Sequence, residues 1–264
     1  MNRFSSILAD SVLEISSRWV IYLYLAVTLV AAFFLAVLPS FTIEGEDIFE
    51  SGMISPDMIG MFVVYFYSGY WGFFILLMIF GSAWLVPSYL GRGRIELTLS
   101  KPVRRMSLLG MKFVSVFLVK AVLLSLSTVV IWVVLSIRLG SFSLNFVPGL
   151  AMAWLVFLVV YAIVFSIGVV SRSGALAIMG YLVISIAAKL LAGRELVYQF
   201  LGKSWQIILD TIYHIVPKMG QMEDSYGTLM AGEGFADFYP VWSSLLFAAV
   251  VVMGALLVFN RRDW

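Results

Sequence analysis

The chain has 264 residues, 62% of them hydrophobic and 12% charged, with a formal net charge of +2 and no cysteine. Soluble domains carry ~45–50% apolar and ~25% charged residues, so this composition excludes a soluble globular domain and describes an integral membrane protein. Without cysteine there is no disulfide framework, thiolate metal site or cysteine nucleophile; no basic tail offers a surface to nucleic acid.

Residues 1–18 place Phe4, Ile7, Leu8, Val12 and Ile15 at helical spacing among polar residues. That pattern predicts an amphipathic helix in the membrane interface. The apolar run that follows, 19–38, ends Ala36-Val37-Leu38-Pro39 without a small-residue cleavage site, so it reads as a retained span and not a secretory signal. The next loop holds Glu44, Glu46, Asp47, Glu50 and Asp57 and no basic residue. Ser55-Pro56 is a helix start, with Ser as the cap and Pro in the first turn.

Span 2, 58–86, is expected to stop at Pro87. It is dense in aromatics, and Tyr65 and Tyr70 are candidates for a substrate path; lipid contact and helix packing are the alternative roles.

Residues 90–112 form the most basic loop, with Arg92, Arg94, Lys101, Arg104, Arg105 and Lys112 against Glu96 alone. Lys and Arg in short loops hold them in the cytoplasm. Ile95, Leu97 and Leu99 are apolar inside this charged frame, and Pro102, two residues after Ser100, is placed to open a helix. The loop reads either as a topology signal or as a docking element.

Spans 3 to 5 are expected at 113–137, 148–170 and 174–191, with Ser171-Arg172-Ser173 as a very short turn between the last two. Lys120 and Lys189 fall inside spans, and intramembrane charge marks either function or a snorkelling side chain near a span end. Residues 192–240 do not span. Their first part, 195–216, is amphipathic and predicts one or two interfacial helices; 219–239 is acidic and glycine-containing and reads as an external loop. Span 6 is 241–259. With six spans both termini share a side. Placing them inside leaves eleven Lys or Arg in inner segments and four in outer ones, which favours cytoplasmic termini.

No catalytic constellation is present, so the chain reads as a non-enzyme. Gly202-Lys203-Ser204 resembles the end of a phosphate-binding loop, but the first glycine of that pattern would fall on Val197. His214, Met219, Met222, Met53 and Met58 are soft donors on outer segments, and in so Met-rich a chain they specify no metal site.

The stretch Gly93-Arg94-Ile95-Glu96-Leu97-Thr98-Leu99-Ser100-Lys101-Pro102-Val103-Arg104-Arg105, followed by Leu108-Leu109-Gly110-Met111-Lys112, resembles the central cytoplasmic segment of type-2 ABC permeases. It is closest to the branch associated with multicopper-enzyme and nitrous oxide reductase maturation. The ending Phe259-Asn260-Arg261-Arg262-Asp263 is similar to that family's ending, while the acidic pair the family often places before the glycine is here Tyr89-Leu90 and Gly91-Arg92.

The resemblance implies an all-α membrane protein, 1–264 as one domain. It would have six transmembrane helices, an N-terminal elbow helix and a short coupling helix between spans 2 and 3. It implies pairing with a second copy or a related permease. It also implies seating on a nucleotide-binding subunit that holds ATP and Mg, with no cofactor on this chain. Spans 2 and 5 would face the dimer interior. An extracytoplasmic accessory protein is a further partner, and the location is a prokaryotic inner membrane. The docking residues would be Arg92, Arg94, Ile95, Glu96, Leu97, Leu99, Ser100, Pro102, Arg104 and Arg105. Such a subunit exports a substrate or passes mechanical work outward; the alternative is a permease-like scaffold that recruits a partner without moving solute.

Overall fold

The computed structural model describes the chain except for residues 1–2, 17–18, 38–41, 44–45, 48–55, 92–104, 140–141, 143, 145, 233, 236 and 263–264. Its helices are α1 (Arg3–Ser16), α2 (Trp19–Val37), α3 (Pro56–Ala83), α4 (Leu85–Tyr89), α5 (Arg105–Leu139), α6 (Phe146–Ser171) and α7 (Gly174–Ala192). A 3-10 turn over Arg194–Phe200 follows, then α8 (Lys203–Ile215), α9 (Met219–Ala231) and α10 (Tyr239–Arg261). The described extended structure is a two-residue antiparallel pairing of Thr42–Ile43 with Glu46–Asp47.

Among the described residues, five helical stretches are long and apolar enough to cross a membrane: Gly69–Tyr89, Arg105–Ile137, Phe146–Ser171, Gly174–Ala192 and Tyr239–Arg261. The apolar stretch Ile21–Val37 of α2 is shorter. Large apolar side chains on these helices face outward, among them Phe33, Phe80, Val183, Leu190, Leu246 and Val250. An uncovered apolar surface of this extent suits lipid and not water.

α6 is the centre of the bundle. Val156, Phe157 and every residue from Val159 to Phe165 are buried on it, because α3, α5, α7, α9 and α10 all pack around it. Its rings stack with those of α5: Phe113 on Tyr161 at 5.0 Å and Phe117 on Phe157 at 5.9 Å between centroids. A polar seam joins α2, α3 and α5. Tyr24 Oη and Ser127 Oγ are 3.3 Å apart, Thr28 Oγ1 and Tyr70 Oη 3.3 Å, and Thr28 Oγ1 also donates to the Tyr24 carbonyl at 3.0 Å. Interhelical hydrogen bonds of this kind stabilise by ~0.6–2 kcal/mol each in lipid.

Four boundaries differ from the sequence reading. Span 2 does not stop at Pro87: α3 ends at Ala83, and Pro87 lies in the first turn of α4, where its missing N–H costs no bond. Residues 105–112, expected as loop, are the first two turns of α5. Span 6 is two residues longer at each end, as α10. The acidic segment expected as an external loop after residue 219 is the helix α9, and it packs on α3 and α6. Met219, Met222, Tyr226, Leu229 and Met230 form its buried stripe. Tyr226 meets Trp71 of α3 at 4.9 Å between rings. Met230 lies over Gly149 of α6, where a Cβ would come within 2.8 Å of its sulfur. Gly232, at φ 89°, closes the helix in the left-handed conformation that glycine adopts without a Cβ penalty.

The amphipathic segment expected as one or two helices after residue 195 is the 3-10 turn and α8. Arg194 Nε donates to Asp210 Oδ1 at 2.7 Å, and Tyr198 Oη donates to the same oxygen. These two bonds clip the turn onto α8 and hold the Asp210 carboxyl below the usual carboxylate range. At the other end of α7, Arg172 takes φ 55° so that the chain reverses within two residues, and Ser173 caps the helix through the Leu176 amide.

That turn places Gly174 against α3, where a Cβ would lie 2.7 Å from the Trp84 ring and 3.0 Å from the Ala83 carbonyl. Gly174→Val is expected to destabilise by ~1–3 kcal/mol through overpacking. Gly254→Ala, which meets nothing within 4 Å, should leave stability unchanged or raised. Thermal unfolding in detergent measures both.

Candidate functional site

The basic loop begins after α4 and ends at α5. Most of the expected docking set, Arg92, Arg94, Ile95, Glu96, Leu97, Leu99, Ser100, Pro102 and Arg104, lies outside the described residues. Arg105 is described, as the first residue of α5.

The ends of the loop are fastened by α1. Lys112, on the second turn of α5, is buried and places Nζ 3.0 Å from Asp10 Oδ2 and 3.0 Å from Glu14 Oε2, both on α1. Glu14 Oε1 accepts a hydrogen bond from Ser88 Oγ of α4 at 2.9 Å. The Lys112 ammonium also lies 5.2 Å from the centre of the Tyr89 ring, the last residue of α4. A single glutamate therefore joins α1 to the segment entering the loop and to the segment leaving it.

Burial makes this junction stiff. The side chains of Lys112 and Glu14 are 2% and 9% exposed, while Asp10 is 45% exposed. Charges taken out of water are held by close partners, because the penalty for leaving one unpaired is several kcal/mol. The apolar contacts agree: Ile15 is buried, and Ser11 turns its hydroxyl back to the Ile7 carbonyl at 2.9 Å. Val12 and Leu13, on α1, stay exposed.

Two further bonds knit the same end of the bundle. Arg105 Nη1 donates to the Arg262 carbonyl at 3.2 Å, and Arg262 Nη1 donates to the Val170 carbonyl at 2.8 Å. The start of α5, the end of α10 and the end of α6 are thus tied together beside the loop. α5 is 35 residues long, about 52 Å at 1.5 Å per residue. The hydrocarbon layer is about 30 Å thick, so α5 is longer than one crossing needs.

The other expected site residues are dispersed. Tyr65 is 74% exposed on α3, facing away from the core. Tyr70 is half-buried, bonded to Thr28 and stacked between Phe66 and Phe74 at 6.1 and 5.1 Å; its surroundings are those of a packing residue. Lys120 is 3% exposed near the middle of α5. Lys189 is in the last turn of α7 and lines a cavity. Of the soft donors, His214 hydrogen-bonds Tyr239 Oη through Nδ1, while Met219 and Met222 are buried in the core. No cluster of three His, Asp or Glu that would hold a metal ion occurs among the described residues.

Sequence reasoning missed the role of Asp10 and Glu14, which it read only as the polar side of α1. Their i, i+4 spacing puts both acids on one helical face, and that was the available signal. Comparison of the chain with family models and with curated proteins found no match.

Lys112→Met removes the cation and leaves the buried Glu14 carboxylate without that ammonium; the expected loss is ~3–5 kcal/mol. Asp10→Asn touches a half-exposed acid and should cost ~1 kcal/mol or less. Unfolding in detergent compares the two. Equal losses would mean that burial of the Lys112–Glu14 pair does not hold α1 in place.

Proposed function

We propose that the chain is the membrane-spanning subunit of an ABC-type transporter, driven through its basic loop by a separate nucleotide-binding subunit. The observation that carries this reading is the Lys112–Asp10–Glu14–Ser88 junction, which fastens the elbow helix to both flanks of the one strongly basic loop. A loop that served only to set orientation needs no such fastening. A loop that receives force does, because displacement must reach α3 and α5 without being lost in bending.

In this reading Ile95, Leu97, Leu99 and Pro102 enter a groove on the ATPase, since interfaces draw most of their energy from a few buried apolar anchors. Glu96 and Ser100 make polar contacts beside them. Arg92, Arg94, Arg104 and Arg105 meet the acidic rim of the partner or the phosphates of lipid. ATP and Mg stay on the partner. The sixth span is α2, which completes the layout with both termini cytoplasmic in a prokaryotic inner membrane. A second copy or a related permease completes the transporter.

The resemblance of residues 93–112 to the central segment of type-2 ABC permeases supports the same reading. The chemistry expected of this chain is mechanical: it lacks a catalytic constellation and passes the closure of its partner to the opposite face of the membrane. Its output is export of a substrate or work on an extracytoplasmic protein.

Replacing both Leu97 and Leu99 with Asp is expected to abolish co-purification of the ATPase while membrane insertion persists; retained co-purification would contradict the docking role. For orientation, a cysteine at Glu46 should react with an impermeant thiol reagent in intact cells and one at Thr98 should not. The reverse labelling would invert the proposed topology.

A further inference from the structure

The end of the bundle opposite the loop contains a cavity of about 260 Å³. It is framed by Lys189 at the end of α7, by Tyr213 and Lys218 at the corner between α8 and α9, and by Gln221, Glu223 and Asp224 in the first turns of α9. Two cations and two carboxylates thus face one small space. None of the four is ion-paired with another among the described residues.

The two more enclosed charges are each held at a cost. Lys218 is 4% exposed. Its Nζ donates to the Tyr213 carbonyl and to Ser243 Oγ, each at 3.2 Å, and sits 4.6 and 4.7 Å from the Tyr213 and Tyr239 ring centres. These partners are neutral. Desolvation, with Arg194 nearby, pushes the ammonium below the usual lysine range. Glu223 is half-buried, and desolvation raises its carboxyl above the usual range, opposed by Lys189 and reinforced by Asp224. A ligand carrying both signs of charge relieves both penalties at once; a ligand of one sign relieves one and aggravates the other.

The helix beside the cavity indicates the phase from which such a ligand comes. α8 supplies Tyr213 and has no buried residue. Trp205, Ile207, Ile208, Ile212 and Ile215 leave it exposed and apolar on a strongly amphipathic frame. A helix of that kind lies in the headgroup region of a bilayer, and the cavity adjoins it. The volume is below the ~300–1,000 Å³ of sites for drug-sized ligands, so it suits a polar headgroup while the chains remain in lipid.

We propose that this cavity binds a phosphoethanolamine group, as the headgroup of an aminophospholipid, with its phosphate toward Lys189 and Lys218 and its ammonium toward Glu223 and Asp224. A choline headgroup has no N–H to donate to Glu223, and a glycerol headgroup brings only negative charge to a site with two carboxylates. The site requires neither an ATPase partner nor transport, so it stands or falls apart from the proposed function.

The test uses the purified full chain in nanodiscs of phosphatidylcholine, alone or doped with phosphatidylethanolamine or phosphatidylglycerol, and reads thermal unfolding and lipid retained in native mass spectrometry. Phosphatidylethanolamine is expected to stabilise and to be retained selectively. Glu223→Gln and Lys189→Gln should each weaken that retention about tenfold, the loss of one charge-assisted contact. In lipid-free detergent Glu223→Gln removes a disfavoured charge and should leave the fold intact; Asp224→Asn, at an exposed position, is the second variant if it does not. The same stabilisation by soluble phosphoethanolamine in phosphatidylcholine discs supports the chemistry and makes the ligand a free one; its absence assigns the lipid. Equal effects of ethanolamine and choline lipids, a preference for phosphatidylglycerol, or selectivity that survives Glu223→Gln overturns the proposal.

Discussion

The structure depends on one buried ammonium. Lys112 is enclosed almost completely and has two carboxylates of α1 within 3.0 Å. With it, an amphipathic helix that has no covalent reason to stay beside α5 is fixed there, and α4 is fixed with it through Ser88. The apolar contacts of Ile15 follow from that placement, because hydrophobic burial is not directional and does not choose a register on its own.

The consequence is a bundle with two different ends. At the base, ionic and backbone bonds join α1, α4, α5, α6 and α10 into a stiff plate. At the far end, Lys189, Glu223 and Asp224 face a cavity, Lys218 is held by neutral groups, and α8 presents an uncovered apolar surface. Stiffness at the base suits transmission, whereas unpaired charge at the other end suits recognition. α6 connects the two, buried along most of its length and contacted by nearly every other long helix.

The spans were legible in the sequence because membrane insertion demands a long uncharged run, and that requirement is local to each segment. The 148–170 run became α6 and the 174–191 run became α7 within two residues at either end. What was not legible depended on partners far away in sequence. Arg105 to Lys112 read as loop because three of those residues are charged or polar, yet Lys112 is paid for by Asp10 and Glu14, about a hundred positions earlier. α9 read as an external loop because its acids and glycines dominate its average. Its Met219, Met222, Tyr226, Leu229 and Met230 stripe has helical spacing, and it found a buried groove between α3 and α6 that no local signal announces. The basic loop itself was the strongest signal in the chain, and its own conformation lies outside the described residues.

The most direct measurement of the basal junction is a distance distribution between nitroxides on Ala9 of α1 and Ser107 of α5, both exposed, by pulsed electron spin resonance in lipid nanodiscs. The account predicts a single narrow distribution that broadens in Lys112→Met. A distribution already broad in the unaltered chain, or one that the substitution leaves narrow, would show that α1 is not held by the buried ammonium.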